Sequence, residues 1–116
     1  MKKITLTILV SILVSFMPSD IQKGIASYYG NSLHGHKTYS GEKYHKDSLT
    51  AAHKTLPMGT IVKVTNLKND SVVIVKINDR MGSAKRVIDL SMAAAKKLNF
   101  VRAGLTNVTV ETIENH

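Results

Sequence analysis

The sequence predicts a mainly β domain whose sheet closes into a barrel, accompanied by one or two short helices. Two observations carry that expectation. Residues 60–66 (TIVKVTN) and 72–78 (VVIVKIN) are β-branched runs, and the turn formers Lys68, Asn69, Asp70 and Ser71 between them make a hairpin. Only one stretch, residues 92–98 (MAAAKKL), has strong helix propensity. A mostly β chain of this size must deal with the unpaired edges of its sheet, and closure into a barrel removes them.

The remaining elements follow in chain order. Residues 25–30 (IASYYG) suit a first strand that stops at the Gly30-Asn31 turn, and residues 50–53 (TAAH) suit a short second one. The hairpin comes next. Ser91 is placed to cap the single clear helix and Asn99 to end it. Residues 107–113 alternate apolar Val108 and Val110 with polar Thr109 and Glu111, which predicts a closing strand. No tandem repeat or low-complexity tract interrupts this order.

Length and composition narrow the functional classes. At 116 residues the chain has room for one domain of about 100 residues, so any activity sits on one scaffold. Cysteine is absent, which excludes disulfides, thiolate zinc sites, a cysteine nucleophile and lipid attachment at a cysteine of this sequence. Lys2 and Lys3 precede an apolar run from Ile4 to Phe16, and Pro18 follows it. That pattern predicts a secretory signal over residues 1–19, since a membrane span needs about 20 apolar residues. No small-x-small pair lies between Ser11 and Ser19, so an uncleaved N-terminal membrane anchor is the alternative. The expected location is the periplasm or cell envelope.

The formal net charge is +8, from 16 basic and 8 acidic side chains, and residues 1–19 hold only two of the basic ones. The excess suits an anionic polymer outside the cytoplasm, or serves solubility alone. Nucleic acid is not expected, because no basic helix, zinc finger or aromatic ladder accompanies the charge.

Candidate chemistry lies in three places. Residues 31–46 form a polar loop with His34, His36, His45 and one carboxylate, Glu42. Asp79 and Arg80 leave the end of the best strand, where a turn aspartate paired with its neighbour is the plain role. Asp89 stands among Val87, Ile88 and Leu90, a setting that requires a partner, and capping the following helix is its plain role. The three loop histidines lack the spacing of a metal motif, so no metal or other cofactor is expected, and zinc hydrolysis through His34, His36 and His45 is a weaker alternative.

The motifs Gly24-Ile25-Ala26-Ser27-Tyr28-Tyr29-Gly30, Thr38-x-x-Gly41-Glu42-x-Tyr44, Thr50-Ala51-Ala52-His53-Lys54-Thr55-Leu56-Pro57, Val73-x-Val75-x-Ile77-Asn78-Asp79-Arg80 and Arg86-Val87-Ile88-Asp89-Leu90-Ser91 occur in that order. Together they resemble the rare lipoprotein A (RlpA) family. The resemblance implies a six-stranded double-psi β-barrel over residues 24–113, the barrel shared with expansin N-terminal domains. It also implies lytic transglycosylase activity on peptidoglycan glycan strands, with a preference for strands stripped of peptide. Met81-Gly82-Ser83 stands where the family usually has Gly-Pro-Phe, so the border of the implied groove differs.

Carried over by motif, the implied catalytic residues are Asp79, Glu42, His53 and Asp89. Such cleavage protonates the leaving glycosidic oxygen and closes a 1,6-anhydro ring with the sugar's own 6-hydroxyl. One carboxyl that acts first as acid and then as base suffices, in contrast to the paired carboxylates of hydrolysis. Asp79 is the leading donor, and Glu42 is either its acidic partner or the acid itself. His53 orients a carboxylate or a sugar hydroxyl, or is simply a hydrogen-bonded barrel histidine. For substrate, Tyr28 and Tyr29 offer aromatic faces, or pack. His34 and Thr38 lie in the loop that would line the groove, and Arg80 would hold either Asp79 or a muramyl carboxylate. The expected partner is the glycan strand, and no obligate protein partner is deduced. A glycan-binding, non-catalytic barrel of expansin type is the rival reading.

Overall fold

The computed structural model describes residues 20–114, so the leader expected over residues 1–19 lies outside the described residues. Six strands and one helix follow in order: β1 (Ile21–Tyr28), β2 (Thr50–His53), β3 (Ile61–Asn66), β4 (Val72–Arg80), β5 (Arg86–Leu90), α1 (Met92–Lys97) and β6 (Thr106–Glu114). A single 3-10 turn, Asn31–Leu33, follows β1. The strands close into a barrel in the order β1-β5-β2-β4-β3-β6. Pairs β1·β5 and β2·β4 are parallel, and the other four are antiparallel. The closed mainly β barrel expected from the sequence is therefore observed.

The hairpin forms as expected, with Val62 opposite Val75 and Val64 opposite Val73. Burial in β3 alternates strictly, so Val62, Val64 and Asn66 face inward. β1 begins earlier than the residue pattern predicts, because residues 21–24 pair with residues 108–111 of β6. At Gly24 a Cβ would come within 3.0 Å of the Val87 Cβ, so this residue lets β1 and β5 approach.

β5 is the strand that the residue pattern misses. Its partners skip Val87, with Ile25 opposite Arg86 and Ala26 opposite Ile88. The unpaired extra residue breaks the period of two on which strand recognition depends. α1 begins as expected, with the Ser91 hydroxyl accepting the Ala94 N–H at 3.2 Å, and beyond it Asn99 adopts a left-handed φ of 55°.

The core joins Ala26, Val62, Val64, Val75, Ile77, Ile88, Leu90, Val108 and Val110 inside the barrel with Ala94, Ala95, Leu98 and Phe100 from α1 and the turn after it. Asn66 is a polar residue on the same inward face of β3. It is 1% exposed, and its amide donates to the Leu98 carbonyl at 2.7 Å while its oxygen accepts from Lys68 N–H and the Thr106 hydroxyl. Every partner is supplied, as a buried amide requires.

Candidate active site

The strand register sets two acids side by side on one wall. Ser27 of β1 pairs with Asp89 of β5, Asp89 with Ala52 of β2, and Ala52 with Asp79 of β4. At about 4.8 Å between neighbouring strands, the two aspartate backbones are about 10 Å apart, with the small Ala52 between them. All four residues line a cleft of about 460 Å3. Arg80 and Arg86 also line it, and Met81 and Gly82 form part of its border. The pairing of β2 with β4 skips Asn78, since Ala51 faces Ile77 and Ala52 faces Asp79. That irregularity re-aims the end of β4, a common device beside functional sites.

Three donors converge on Asp79. The Tyr29 hydroxyl donates to Oδ2 in a very short hydrogen bond. Oδ1 accepts the Tyr39 N–H at 2.8 Å and the Arg80 N–H at 2.9 Å. Tyr29 stacks on Tyr44 with ring centres 4.3 Å apart, which holds its hydroxyl in place. Burial pushes the Tyr29 phenol well above its ordinary range, and the bond to Asp79 adds to the shift. It therefore keeps its proton and remains a donor.

Asp89 is held as firmly from its own side. Ser27 Oγ donates to Oδ1 at 2.5 Å, and Arg86 grips both oxygens, Nε at 2.8 Å and a terminal nitrogen at 3.3 Å. This hydrogen-bonded fork raises the Arg86 pKa and fixes the orientation of the carboxylate. Asp89 is thus not the helix cap; the Ser91 hydroxyl takes that place.

The Arg80 side chain does not hold the Asp79 carboxylate. Its guanidinium donates to the carbonyls of Leu56 at 2.7 Å and His53 at 3.2 Å, and lies 5.2 Å from the centre of the Tyr39 ring. Only its backbone N–H reaches Asp79. Tyr28 lines the cleft but packs edge-on against Phe100 and donates its hydroxyl to Val101 O at 2.7 Å, so its role in packing is plain.

His53 is 1% exposed and touches neither aspartate through its ring. Its Nδ1 accepts the N–H groups of Thr55 and Leu56, both at 3.0 Å, which places the ring proton on Nε2, 2.7 Å from Gln22 Oε1. Burial pushes the imidazole below its ordinary range, and the charges of Arg80 and Lys54 act in the same direction. An unfolded chain binds this proton below about pH 6.5, while the folded one resists it. The stabilisation is therefore complete above about pH 6.5 and is lost as the pH falls towards the lower, folded value. A Tm series from pH 7.5 to 5 is expected to show a decline below about 6.5 that His53→Gln flattens. Parallel curves for the two proteins would show that His53 is not its source.

Glu42 does not join the two aspartates. It lies farther back along β4, where Oε2 accepts from Lys76 Nζ at 2.9 Å and Oε1 from Asn78 Nδ2 at 3.1 Å. It lines depressions separate from the Asp79 cleft. His34 accepts the Lys46 N–H at 3.1 Å and meets the His45 ring edge-on, while the Thr38 hydroxyl donates to Glu42 O at 2.6 Å. Both shape the loop, and neither lines the cleft. Among the described residues no group of three metal-binding side chains converges.

The residue pattern passes over Ser27, Tyr39 and Arg86. In a regular strand, residues three apart lie on opposite faces, so Arg86 and Asp89 carry no pairing signal. The extra residue at Val87 puts them together.

Residues 21–110 match a family model described as lytic transglycolase. The chain is 52% identical over 93 residues to the endolytic peptidoglycan transglycosylase RlpA of Neisseria meningitidis serogroup A, covering 79% of this chain and 39% of that protein. This chain belongs to the RlpA family. Another RlpA relative, from Campylobacter jejuni, is 52% identical over 78% of this chain and 33% of its own length. A probable one from Synechocystis is 48% identical, over 81% of this chain and 30% of its own length. The chain therefore spans between 30% and 39% of these relatives. Among solved structures, the RlpA barrel superimposes on an apo expansin from Clavibacter michiganensis with a TM-score of 0.67 at 21% identity, covering 84% of this chain and 52% of that one. The Streptomyces papain inhibitor gives the same TM-score at 24% identity, covering 84% and 97%. At these identities the likeness shows the fold, a double-psi β-barrel.

Proposed function

We propose that this chain is a lytic transglycosylase of the cell envelope, cutting the glycan strands of peptidoglycan and leaving 1,6-anhydromuramyl ends. The observation that carries this reading is the row Ser27–Asp89–Ala52–Asp79 across an open cleft, in a chain about half identical to named peptidoglycan transglycosylases. Export to the envelope accords with the expected leader.

In this reading Asp79 is the proton carrier. As an acid it gives its proton to the glycosidic oxygen while the bond to the muramyl C1 breaks. As the resulting carboxylate it takes the proton from the 6-hydroxyl, whose oxygen bonds to C1, so the acid is regenerated and no water is consumed. The Tyr29 hydroxyl suits both states, because it donates to a carboxylate and can turn to accept from the acid. Asp89, oriented by Ser27 and Arg86, places negative charge beside the oxocarbenium-like centre.

Arg80 and Arg86 border the cleft. Their charge favours strands whose lactyl carboxylates are free, that is, strands without peptide. Mass spectrometry of peptidoglycan digests tests the reading, with anhydromuramyl ends expected and more of them from peptide-free than from intact material. Ordinary reducing ends would mean hydrolysis, and uncut strands that nonetheless retain the protein would mean a binding barrel; either result overturns it.

A further inference from the structure

The loop before β2 packs on β4 at Lys76, Asn78 and Asp79. Its base is a bridge between Lys37 and Lys43. Its turn is closed by Thr38 N–H to Glu42 O at 2.9 Å and Gly41 N–H to Thr38 O at 3.0 Å, with Gly41 at a φ of 96°. Ser40 N–H reaches Asn78 O at 3.1 Å, which pins the tip to the irregular point of β4. From that tip, the Tyr39 N–H goes to Asp79 in the cleft, while the Glu42 side chain goes to Lys76 and Asn78, earlier in β4.

We propose that Glu42 is a positioning residue, one that closes this clasp on Lys76 and Asn78 of β4 and so holds the Tyr39 N–H against Asp79, and that it does not exchange a proton with substrate. The proposal rests on the reading of Asp79 as proton carrier. Three observations support it. Glu42 lies outside the cleft that Asp79, Asp89 and the two arginines line. Each of its carboxylate oxygens already accepts a hydrogen bond from β4. The Lys76 ammonium and the Asn78 amide hold its carboxyl below the usual range, so near neutral pH it has no proton to donate. A carboxylate that only holds a loop still matters for rate, because a displacement of about 1 Å at a reacting group can cost on the order of 100-fold.

The test compares Glu42→Gln, Lys76→Met and the double variant in the full chain, with Asp79→Asn alongside. Each clasp variant is expected to lose roughly 10- to 100-fold in kcat, with KM little changed. The double variant is expected to lose no more than the worse single one, since both break one contact. The alkaline limb of the pH–rate profile, where activity falls as the proton donor ionises, is expected to persist in Glu42→Gln. The Tyr39 amide proton resonance, a direct reporter of the bond to Asp79, is expected to shift alike in both single variants. A Glu42→Gln protein that is inactive or lacks the alkaline limb, beside a fully active Lys76→Met protein, would overturn the proposal and make Glu42 the proton donor. Wild-type rates in both variants would overturn it too. Full activity in Asp79→Asn would instead remove the reading of Asp79 on which the clasp depends.

Discussion

Asp79→Asn is expected to lower glycan cleavage by about 10²- to 10⁴-fold, the usual contribution of a positioned acid or base. The substitution isolates the proton. Asn keeps the shape of the side chain, its carbonyl oxygen can still accept the N–H groups of Tyr39 and Arg80, and its amide can donate to a Tyr29 hydroxyl turned to accept. Folding is accordingly expected to survive, with a Tm close to that of the wild type. The measurement is the rate of anhydromuramyl product formation from peptide-free peptidoglycan, read beside thermal unfolding of the same preparation. An unfolded variant would not speak to the mechanism, so Asp79→Glu provides a second arm. It retains the carboxyl but moves it by one methylene, and is expected to recover part of the rate. Unimpaired cleavage by a folded Asp79→Asn protein would transfer the acid role elsewhere.

Ile88→Ala is expected to cost about 2–5 kcal/mol of stability, the range for removing a large aliphatic side chain from a packed interior. Ile88 is fully buried, and its strand neighbours are Ala26 on β1 and His53 on β2. Those neighbours belong to a closed wall, which gives the surroundings little room to collapse into the cavity. Small domains have only about 5–15 kcal/mol in total, and for a domain of this size each kcal/mol moves Tm by about 4–8 °C. A fall in Tm of at least about 8 °C is therefore expected by calorimetry. Ile88 also precedes Asp89, so cleavage should weaken at temperatures where the variant is still folded. A fall of less than about 3 °C would show that β5 contributes little to the packing of the barrel.

Much of the scaffold was legible because its signals are local. The β3–β4 hairpin declares itself through β-branched runs around turn residues, the Ser91 cap through a hydroxyl ahead of an alanine-rich run, and β6 through strict alternation. Asp79 and Asp89 were legible as candidates, the first from its place at the end of a strand and the second from an apolar setting that requires a partner. Their partners were not legible. Ser27 is 62 positions from Asp89, and Tyr29 is 50 positions from Asp79. Arg86 is close to Asp89 in sequence, yet regular alternation would have set the two on opposite faces.

The amino-acid sequence by itself determined that this is one mainly β domain of the RlpA family, and which acids it offers for chemistry. The period of two and the helix cap are properties of neighbouring residues, so they can be seen before any strand has a partner. Only the tertiary structure decided that Asp79 and Asp89 share a cleft while Glu42 binds Lys76 and Asn78 outside it. That outcome depends on strand register and on the unpaired residues Asn78 and Val87, and register arises from pairing between segments far apart in the chain.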